Sequence, residues 1–146
     1  MTRINADISP KKLTDQHLLA EYREIGRVST QYQKRWLLKK GYDDIPKEFT
    51  LGSGHQSFFL NKGKFLHKRF NSLTEEMKHR GFKPKLKFRN TWVFGGKHYN
   101  DWQSSEKDNK LIIERISERV KAQAKPIRYY SKIIDVKFYI KNILTK

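Results

Sequence analysis

Apolar residues recur every three or four positions in three segments of this chain, which is the spacing of one face of an α-helix. In the first segment they are Leu18, Tyr22, Ile25, Tyr32 and Trp36. With Thr14 or Asp15 as the N-cap and Gly41 as the stop, the pattern predicts a helix from there to about residue 39. Gly26 lies inside this run and is expected to weaken or bend the helix, by about 1 kcal/mol relative to alanine.

The second and third segments have clear start and stop signals. Asn61 is predicted to cap a helix over residues 62–80, which Gly81 ends. Its apolar stripe is Leu66, Phe70, Leu73 and Met77. Ser105 and Asp108 resemble a capping box, with Asp in place of the usual Glu, and predict a helix that runs to about Ala122. Its predicted inward residues are Ile113, Ile116 and Val120.

The connecting segments are rich in glycine, proline and aromatic residues. Residues 41–63 look irregular, and residues 82–104 are predicted to form a long ordered loop packed by its aromatic side chains. Residues 133–144 are apolar enough to pack, as helix or as strand. Since 146 residues suit one core, the sequence predicts an all-α fold, a single compact domain of three main helices with long aromatic-rich loops. Residues 133–146 would form a C-terminal extension of the domain 1–146.

The charge of the chain limits its partners. It has 32 Lys and Arg against 15 Asp and Glu, a net charge of +17. Such an excess causes self-repulsion unless a polyanion neutralises it, so nucleic acid is the first candidate partner and an anionic membrane surface the second. Residues 62–89 hold ten basic and two acidic residues, and residues 110–146 hold ten and three. This density beside Tyr129 and Tyr130 suits phosphate contacts and stacking on exposed bases.

Several classes of protein are excluded or disfavoured. No run reaches the roughly 18 apolar residues that a membrane span needs, and residues 1–7 lack the apolar stretch of a signal peptide. The absence of cysteine excludes a disulfide scaffold, a cysteine-ligated metal and a thiol nucleophile, and it fits a reducing, intracellular setting. Four of the five histidines lack metal-like spacing with carboxylates, so we expect neither a metal nor a cofactor. These four are His55, His67, His79 and His98.

The first predicted helix also carries a polar face. Arg23 and Arg27 are four residues apart and therefore share a side of the helix, with Glu24 at its edge. Taken alone, Glu24 is best interpreted as an ordinary exposed helix carboxylate. Charge alone does not separate an enzyme from a non-catalytic basic protein that binds DNA or RNA.

Two blocks of the sequence are more specific than any periodicity. The first joins residues 2–5 (TRIN) to residues 15–24 (DQHLLAEYRE). The second joins residues 49–55 (FTLGSGH) and 58–59 (FF) to residues 65–69 (FLHKR) and 80–82 (RGF). Together they closely resemble the pyrimidine-dimer glycosylase family, the phage endonuclease V-like repair enzymes. The similarity is looser over residues 112–132.

This resemblance implies a compact α domain with its N-terminus between helices, and a DNA N-glycosylase with abasic-site lyase activity. It implies that Met1 is removed, that the α-amine of Thr2 is the nucleophile and that Glu24 is the acid/base. The residues expected to contact DNA are Arg3, Gln16, His17, Arg23, Arg27, Arg115, Arg119, Tyr129, Tyr130 and Lys132. The partner would be double-stranded DNA containing pyrimidine dimers or abasic sites, and we expect a monomer in the cytoplasm of a bacterial or virus-infected cell.

This chemistry suits a terminal amine. Its ordinary pKa of about 7.7 to 8.0 is well below the value of about 10.4 for lysine, so a useful fraction is neutral near pH 7. The like charges of Arg3, Arg23 and Arg27 would lower that pKa further. The amine attacks C1′, displaces the base and forms an imine, after which Glu24 accepts the C2′ proton and β-elimination cuts the strand. The resemblance also implies that the adenine opposite the dimer is flipped out of the stack.

The chain departs from the family pattern in three places. It has one extra residue before Gln16, Gly26 where proline is usual, and Ile127 with Arg128 before the two tyrosines. The thinner aromatic segment leaves the lesion preference open. An abasic-site lyase, a glycosylase for another modified base and a non-catalytic nucleic-acid-binding protein therefore remain as alternatives.

Overall fold

Helices dominate the computed structural model, which describes residues 4–94 and 96–146, as expected for an α fold. In those residues the α-helices are α1 (Asp15–Glu24), α2 (Gly26–Leu37), α3 (His55–Phe58), α4 (Gly63–His79), α5 (Glu106–Ala122) and α6 (Val136–Tyr139). Short 3₁₀ turns cover Pro10–Lys12, Phe59–Asn61 and Thr91–Phe94. A small antiparallel hairpin joins β1 (Arg128–Tyr129) to β2 (Lys132–Ile133).

The predicted first helix is two helices that meet at Ile25. The amide of Ile25 still donates to the carbonyl of Glu21 at 2.9 Å, but the ladder restarts as the amide of Val28 donates to the carbonyl of Ile25 at 3.3 Å. The described residues therefore hold four helices of ten or more residues, α1, α2, α4 and α5, and not three. Thr14 is the N-cap of α1, since its hydroxyl accepts from the amide of His17 at 3.1 Å.

Trp36 was wrongly placed on the inward stripe of this segment. It is 43% exposed, and Leu37 and Leu38 beyond it are 62% and 65% exposed. The last turn of α2 therefore extends past the core that buries Tyr32. Helical spacing identifies the face of a helix, but it does not show where the packing partner of that face ends.

The helix α4 has the predicted stripe, since Leu66, Phe70, Leu73 and Met77 are all buried. Its predicted cap is wrong. The N-cap is Lys62 without a side-chain cap bond, and the side-chain oxygen of Asn61 instead accepts from the ammonium group of Lys62 at 2.8 Å. Gly81 follows the helix with φ of +89°, a conformation that favours glycine.

The capping box of α5 is confirmed, because Ser105 and Asp108 each accept a backbone N–H from the other. Two of its three predicted inward residues, Ile116 and Val120, are confirmed as buried, and the third is Ile112 instead of Ile113. Ile112 is fully buried with Ile116 and Val120, whereas Ile113 is only partly buried. These three buried residues are spaced by four, so they form a straight stripe along the helix.

Aromatic side chains pack the long loops, as predicted. Trp92 is fully buried, and its indole N–H donates to the carbonyl of Leu60 at 2.7 Å. Its ring stacks on Tyr32 with centroids 5.2 Å apart. Phe49 and Trp102 stack in the same way at 5.7 Å. These contacts fix the loops against α2 and α4.

The C-terminal residues pack onto the same core. Tyr139 of α6 and Leu144 in the π-helical turn Ile140–Leu144 are both fully buried. The hydroxyl of Tyr139 donates to the carbonyl of Lys12 at 2.5 Å. The extension therefore covers the turn that precedes α1.

Two glycines provide a matched pair of stability predictions. A Cβ added at Gly63 would lie 2.5 Å from two ring atoms of the buried Trp92, whereas one at Gly26 would meet nothing within 4 Å. We expect Gly63→Ala to lower the free energy of unfolding by about 1 to 3 kcal/mol through overpacking. Gly26→Ala should raise it by up to about 1 kcal/mol through helix propensity. Urea unfolding measures both, and equal effects would contradict the packing described.

Candidate active site

The first described residues are buried inside the fold. The predicted nucleophile Thr2 and its neighbour Arg3 lie outside the described residues. Ile4, Asn5 and Ala6, which follow them, are respectively 0%, 5% and 0% exposed. The described chain is therefore buried from its first residue, Ile4, which is two positions after Thr2 in the sequence.

Three elements hold this N-terminal segment. The amide of Ile4 donates to Nε2 of His55 on α3 at 2.9 Å, and its carbonyl accepts from Nη2 of Arg115 on α5 at 3.4 Å. The side-chain amide of Asn5 donates to a carboxylate oxygen of Glu21 on α1 at 2.7 Å. The segment thus lies between α1, α3 and α5.

Glu21 also forms a buried ion pair. Its carboxylate accepts from Nε of Arg69 at 2.7 Å and from Nη2 at 3.0 Å, and the two side chains are 0% and 5% exposed. The remaining Nη1 donates to the carbonyl of Ile8 at 2.5 Å. A bidentate pair of this kind fixes both side chains, so α1, α4 and the N-terminal segment are held in one arrangement.

Glu24, Arg23 and Arg27 lie at the break between α1 and α2. Glu24 is the last residue of α1 and is partly buried, while the two arginines are exposed. Arg23 and Arg27 border a groove of about 470 Å³. Its lining residues are Arg23, Gly26, Arg27, Thr30, Gln31, Lys34 and Gln56. The break therefore opens a cationic surface beside a partly buried carboxylate.

A second buried network, the Arg80 cluster, consists of Asp15, Glu76, Arg80, Tyr129 and Tyr130. The guanidinium of Arg80 donates to Glu76 at 2.8 Å and to Asp15 at 2.9 Å. It also lies 4.9 Å from the ring centroid of Tyr129 and 4.6 Å from that of Tyr130. The cluster joins the start of α1, the end of α4 and the C-terminal hairpin.

The two tyrosines predicted to stack on bases are partners within this cluster. The hydroxyl of Tyr130 donates to Glu76 at 2.8 Å, and that of Tyr129 donates to the carbonyl of Lys11 at 2.7 Å. Burial, followed by the hydrogen bond to Glu76, raises the pKa of Tyr130, and burial raises the pKa of Tyr129. Both hydroxyls therefore stay protonated as donors near neutral pH, and their contact with DNA remains a prediction.

The side-chain amide of Gln16 likewise forms its hydrogen bonds within the protein. Its NH₂ group donates to the carbonyl of Pro126 at 2.9 Å, and its oxygen accepts from the amide of Arg128 at 3.0 Å. Gln16 thereby holds the C-terminal hairpin on α1. His17 follows it in the first turn of α1 and is partly buried.

The remaining predicted DNA contacts lie on α5 and the hairpin. Arg115 is only 9% exposed and contacts Ile4. Arg119, one turn further along α5, is exposed, as is Lys132 in β2. The structure therefore brings Arg115 to the N-terminal segment and leaves the other two cations at the surface.

Lys62 is a second candidate amine that the sequence did not single out. Burial lowers its pKa from 10.5 to about 8. Its ammonium group donates to the carbonyl of Phe58 and to Asn61, both at 2.8 Å, and lies 3.7 Å from the ring centroid of Phe58. A lysine with this pKa has the protonation state of a Schiff-base nucleophile, but its ammonium group is already held by these three contacts.

The lowered pKa of Lys62 predicts a pH-dependent stability. Between about pH 8 and 10.5 the unfolded chain retains the proton that the folded chain has lost, so stability rises with pH across that window. We expect the free energy of unfolding of the wild type, relative to Lys62→Met, to increase from pH 8 to 10. Urea unfolding at several pH values measures the difference. A constant difference would show that the pKa of Lys62 is not lowered.

The residues that hold the site were not predicted, although the sequence contains their signal. Arg69 follows Leu66 by three and precedes Leu73 by four, which places a charge on the inward face of α4. Glu21 follows the buried Leu18 by three and precedes the buried Ile25 by four on α1. A charged residue at core spacing on each of two helices is the pattern of a buried ion pair. His55 gave no such signal, because its partners are backbone groups.

Within residues 4–94 and 96–146, no group of three or more His, Asp or Glu side chains is arranged to hold a metal ion. No helix in that part of the chain is both long and apolar enough to cross a bilayer.

Comparison with known protein families gives one finding that bears on this site. The family model described as pyrimidine dimer DNA glycosylase matches residues 1–90. The matched region contains the N-terminal segment, α1, α2, His55 and all of α4. It ends before α5 and the C-terminal hairpin, so Arg115, Arg119 and the two tyrosines lie outside it.

Proposed function

The chain belongs to the pyrimidine dimer DNA glycosylase family, and on that premise we propose that it excises UV-induced pyrimidine dimers and then cleaves the strand as an abasic-site lyase. DNA is the substrate of this family. The finer assignment, an imine formed by the α-amine of Thr2 after removal of Met1, rests mainly on one observation: the buried segment that follows Thr2 is anchored on the helical turn before Glu24.

The anchoring limits where the amine can be. Two residues of chain span at most about 7 Å, so the α-amine of Thr2 is tethered within that distance of the Ile4 amide. Asn5 binds Glu21, and Glu24 lies three residues further on the same side of α1, at a Cβ separation of about 5 to 6 Å. These constraints support an amine and a carboxylate that face the same small region.

The reaction follows from this pair. A bond forms between the amine nitrogen and C1′ as the bond from C1′ to the base breaks, and the base leaves with the electron pair. A proton then moves from nitrogen to the ring oxygen O4′ as the bond from C1′ to O4′ breaks, which opens the sugar and gives the protonated imine. Glu24 then removes the C2′ proton, and the bond from C3′ to the phosphate oxygen breaks. Before that, the ionised carboxylate of Glu24 stabilises the positive charge that develops on the sugar.

The exposed cations supply the binding surface for double-stranded DNA. Arg23, Arg27 and Lys34 border the groove at the break between α1 and α2, where they can neutralise phosphates. At about 470 Å³, this groove is large enough to accept an extrahelical base, as base flipping requires. Arg119 and Lys132 extend the charged surface. We propose that one copy of the chain acts alone, where the DNA of a bacterial or virus-infected cell is found, and that it needs no cofactor.

Borohydride trapping tests the proposal. The protein, shown by mass spectrometry to begin at Thr2, is incubated with duplexes that contain a thymine dimer, an abasic site or neither. Borohydride reduces any imine, and peptide mapping locates the adduct. We expect an adduct on Thr2 with the first two duplexes and none with the third. Lys62→Met should form the same adduct at the wild-type rate.

Each other outcome supports a different function. An adduct with abasic DNA alone would indicate a lyase that lacks dimer-glycosylase activity. Binding to all three duplexes without an adduct would indicate a non-catalytic DNA-binding protein. An adduct on Lys62 would refute the terminal amine as the nucleophile.

A further inference from the structure

The buried ring of His55 holds the chain two residues from the proposed nucleophile. We infer that His55 is a positioning residue for imine formation, which fixes the direction in which the N-terminal amine leaves the fold. This inference rests on the proposed function. It assigns a role to a side chain that the catalytic steps above do not use.

The hydrogen bonds of His55 define its tautomer. The amide of Ile4 can only donate, so Nε2, at 2.9 Å, accepts and carries no proton. The carbonyl of Thr50 can only accept, so Nδ1, also at 2.9 Å, carries the proton. The ring is therefore neutral, because the opposite tautomer would place two donors together at Ile4 and two acceptors together at Thr50. It also has one orientation, since a ring flip would put carbon atoms in the places of both nitrogens and lose both hydrogen bonds.

The ring is also immobilised by packing. His55 is 1% exposed. Phe49 meets it edge-on with centroids 5.6 Å apart, and Phe59 does the same at 5.4 Å. Two aromatic contacts and a hydrogen bond at each nitrogen make this ring a rigid support for the Ile4 amide.

Imine formation is sensitive to this support. Attack requires a separation of about 3 to 3.5 Å with aligned orbitals, and a displacement of about 1 Å lowers rates by up to about 100-fold. The contacts of Asn5 with Glu21 and of Ile4 with Arg115 keep the segment in the fold. Among the described residues, only His55 holds the backbone N–H of Ile4, which is the end of Ile4 that is nearer to Thr2 along the chain. Loss of this hydrogen bond should therefore slow the chemical step more than it weakens DNA binding.

Two substitutions separate positioning from simple packing. The side-chain amide of Gln reaches the place of Nε2, so His55→Gln can still accept from Ile4. The amide of Asn reaches only the place of Nδ1, so His55→Asn keeps the donation to Thr50 and loses the contact with Ile4. We expect His55→Asn to lower the single-turnover rate of borohydride trapping on abasic DNA by about 10- to 100-fold. His55→Gln should stay within about threefold of the wild type, and the Kd for DNA should change little in either.

The control measurements are the midpoint of urea unfolding and the histidine ¹⁵N spectrum. The spectrum of the wild type should show a proton on Nδ1 of His55 and none on Nε2; the opposite tautomer would overturn the inference. So would equal rate losses in the two variants, or losses that follow their stabilities. If the wild type forms no adduct, both the proposed function and this inference are wrong. If the wild type reacts and His55→Asn reacts equally fast, the inference alone fails.

Discussion

Glu24→Gln should lower the rate of strand cleavage at a thymine dimer by about 100- to 10,000-fold, which is the usual contribution of a positioned acid/base. The substitution keeps the shape of the side chain at the end of α1 but removes the charge that stabilises the sugar cation and accepts the C2′ proton. Single-turnover cleavage of a dimer-containing duplex measures the effect. Binding, measured by fluorescence anisotropy, should be retained, because Arg23 and Arg27 are unchanged.

The matched control is Glu75→Gln on α4, which removes an exposed carboxylate and raises the net charge by the same amount. It should cleave at the wild-type rate. If both variants cleave normally, Glu24 is not the acid/base. If both are slow, the charge of the protein, and not a particular carboxylate, controls the reaction.

Glu21→Ala should lower the free energy of unfolding by about 3 to 5 kcal/mol, because it leaves the guanidinium of Arg69 buried without its counterion. The side chain of Asn5 loses its acceptor in the same substitution. Urea unfolding measures the loss. The double variant Glu21→Leu with Arg69→Met should recover much of it, since replacing both charges with apolar groups removes the desolvation penalty.

The double variant also tests what the ion pair does for the site. Its free energy of unfolding should approach that of the wild type. Its rate of borohydride trapping should nevertheless be lower than that of the wild type, because Asn5 is no longer anchored on α1. Asp44→Ala, which breaks the exposed pair between Arg35 and Asp44, should have a much smaller effect on stability. A comparable loss from both ion pairs would mean that burial of Glu21 and Arg69 contributes nothing.

Helix positions were predictable from the sequence because each long helix buries an apolar stripe of its own. The stripe of α4 and the capping box of α5 are local patterns, and both are confirmed. Gly26 was expected to weaken or bend the first helix, and the break does lie next to it, at Ile25. The exposure of Trp36 was not predicted, since it depends on where other elements stop packing against α2. The hairpin at Tyr129 was also missed, because two residues per strand leave no periodicity to detect.

The basic residues of the site were predictable from the sequence, whereas the residues that hold the N-terminal segment were less so. Helical spacing placed Arg23 and Arg27 on one face, and the family resemblance gave these two residues and Glu24 their roles. The structure confirms that the two arginines line one groove at the break between α1 and α2. Tyr129 was predicted to contact DNA from the basic residues around it and from the family resemblance, and in the structure its hydroxyl donates to the carbonyl of Lys11. An aromatic residue beside basic ones has the same sequence signature whether it stacks on a base or on Arg80.

The contact between Ile4 and Arg115 has a consequence for biosynthesis. These residues are 111 positions apart in the chain, and at about 5 to 20 residues per second a ribosome needs roughly 6 to 22 seconds to make the second after the first. Until α5 leaves the ribosome, Arg115 cannot contact Ile4, and the α5 side of Ile4 stays uncovered. An aminopeptidase would therefore have those seconds to act on the nascent chain before Ile4 is enclosed.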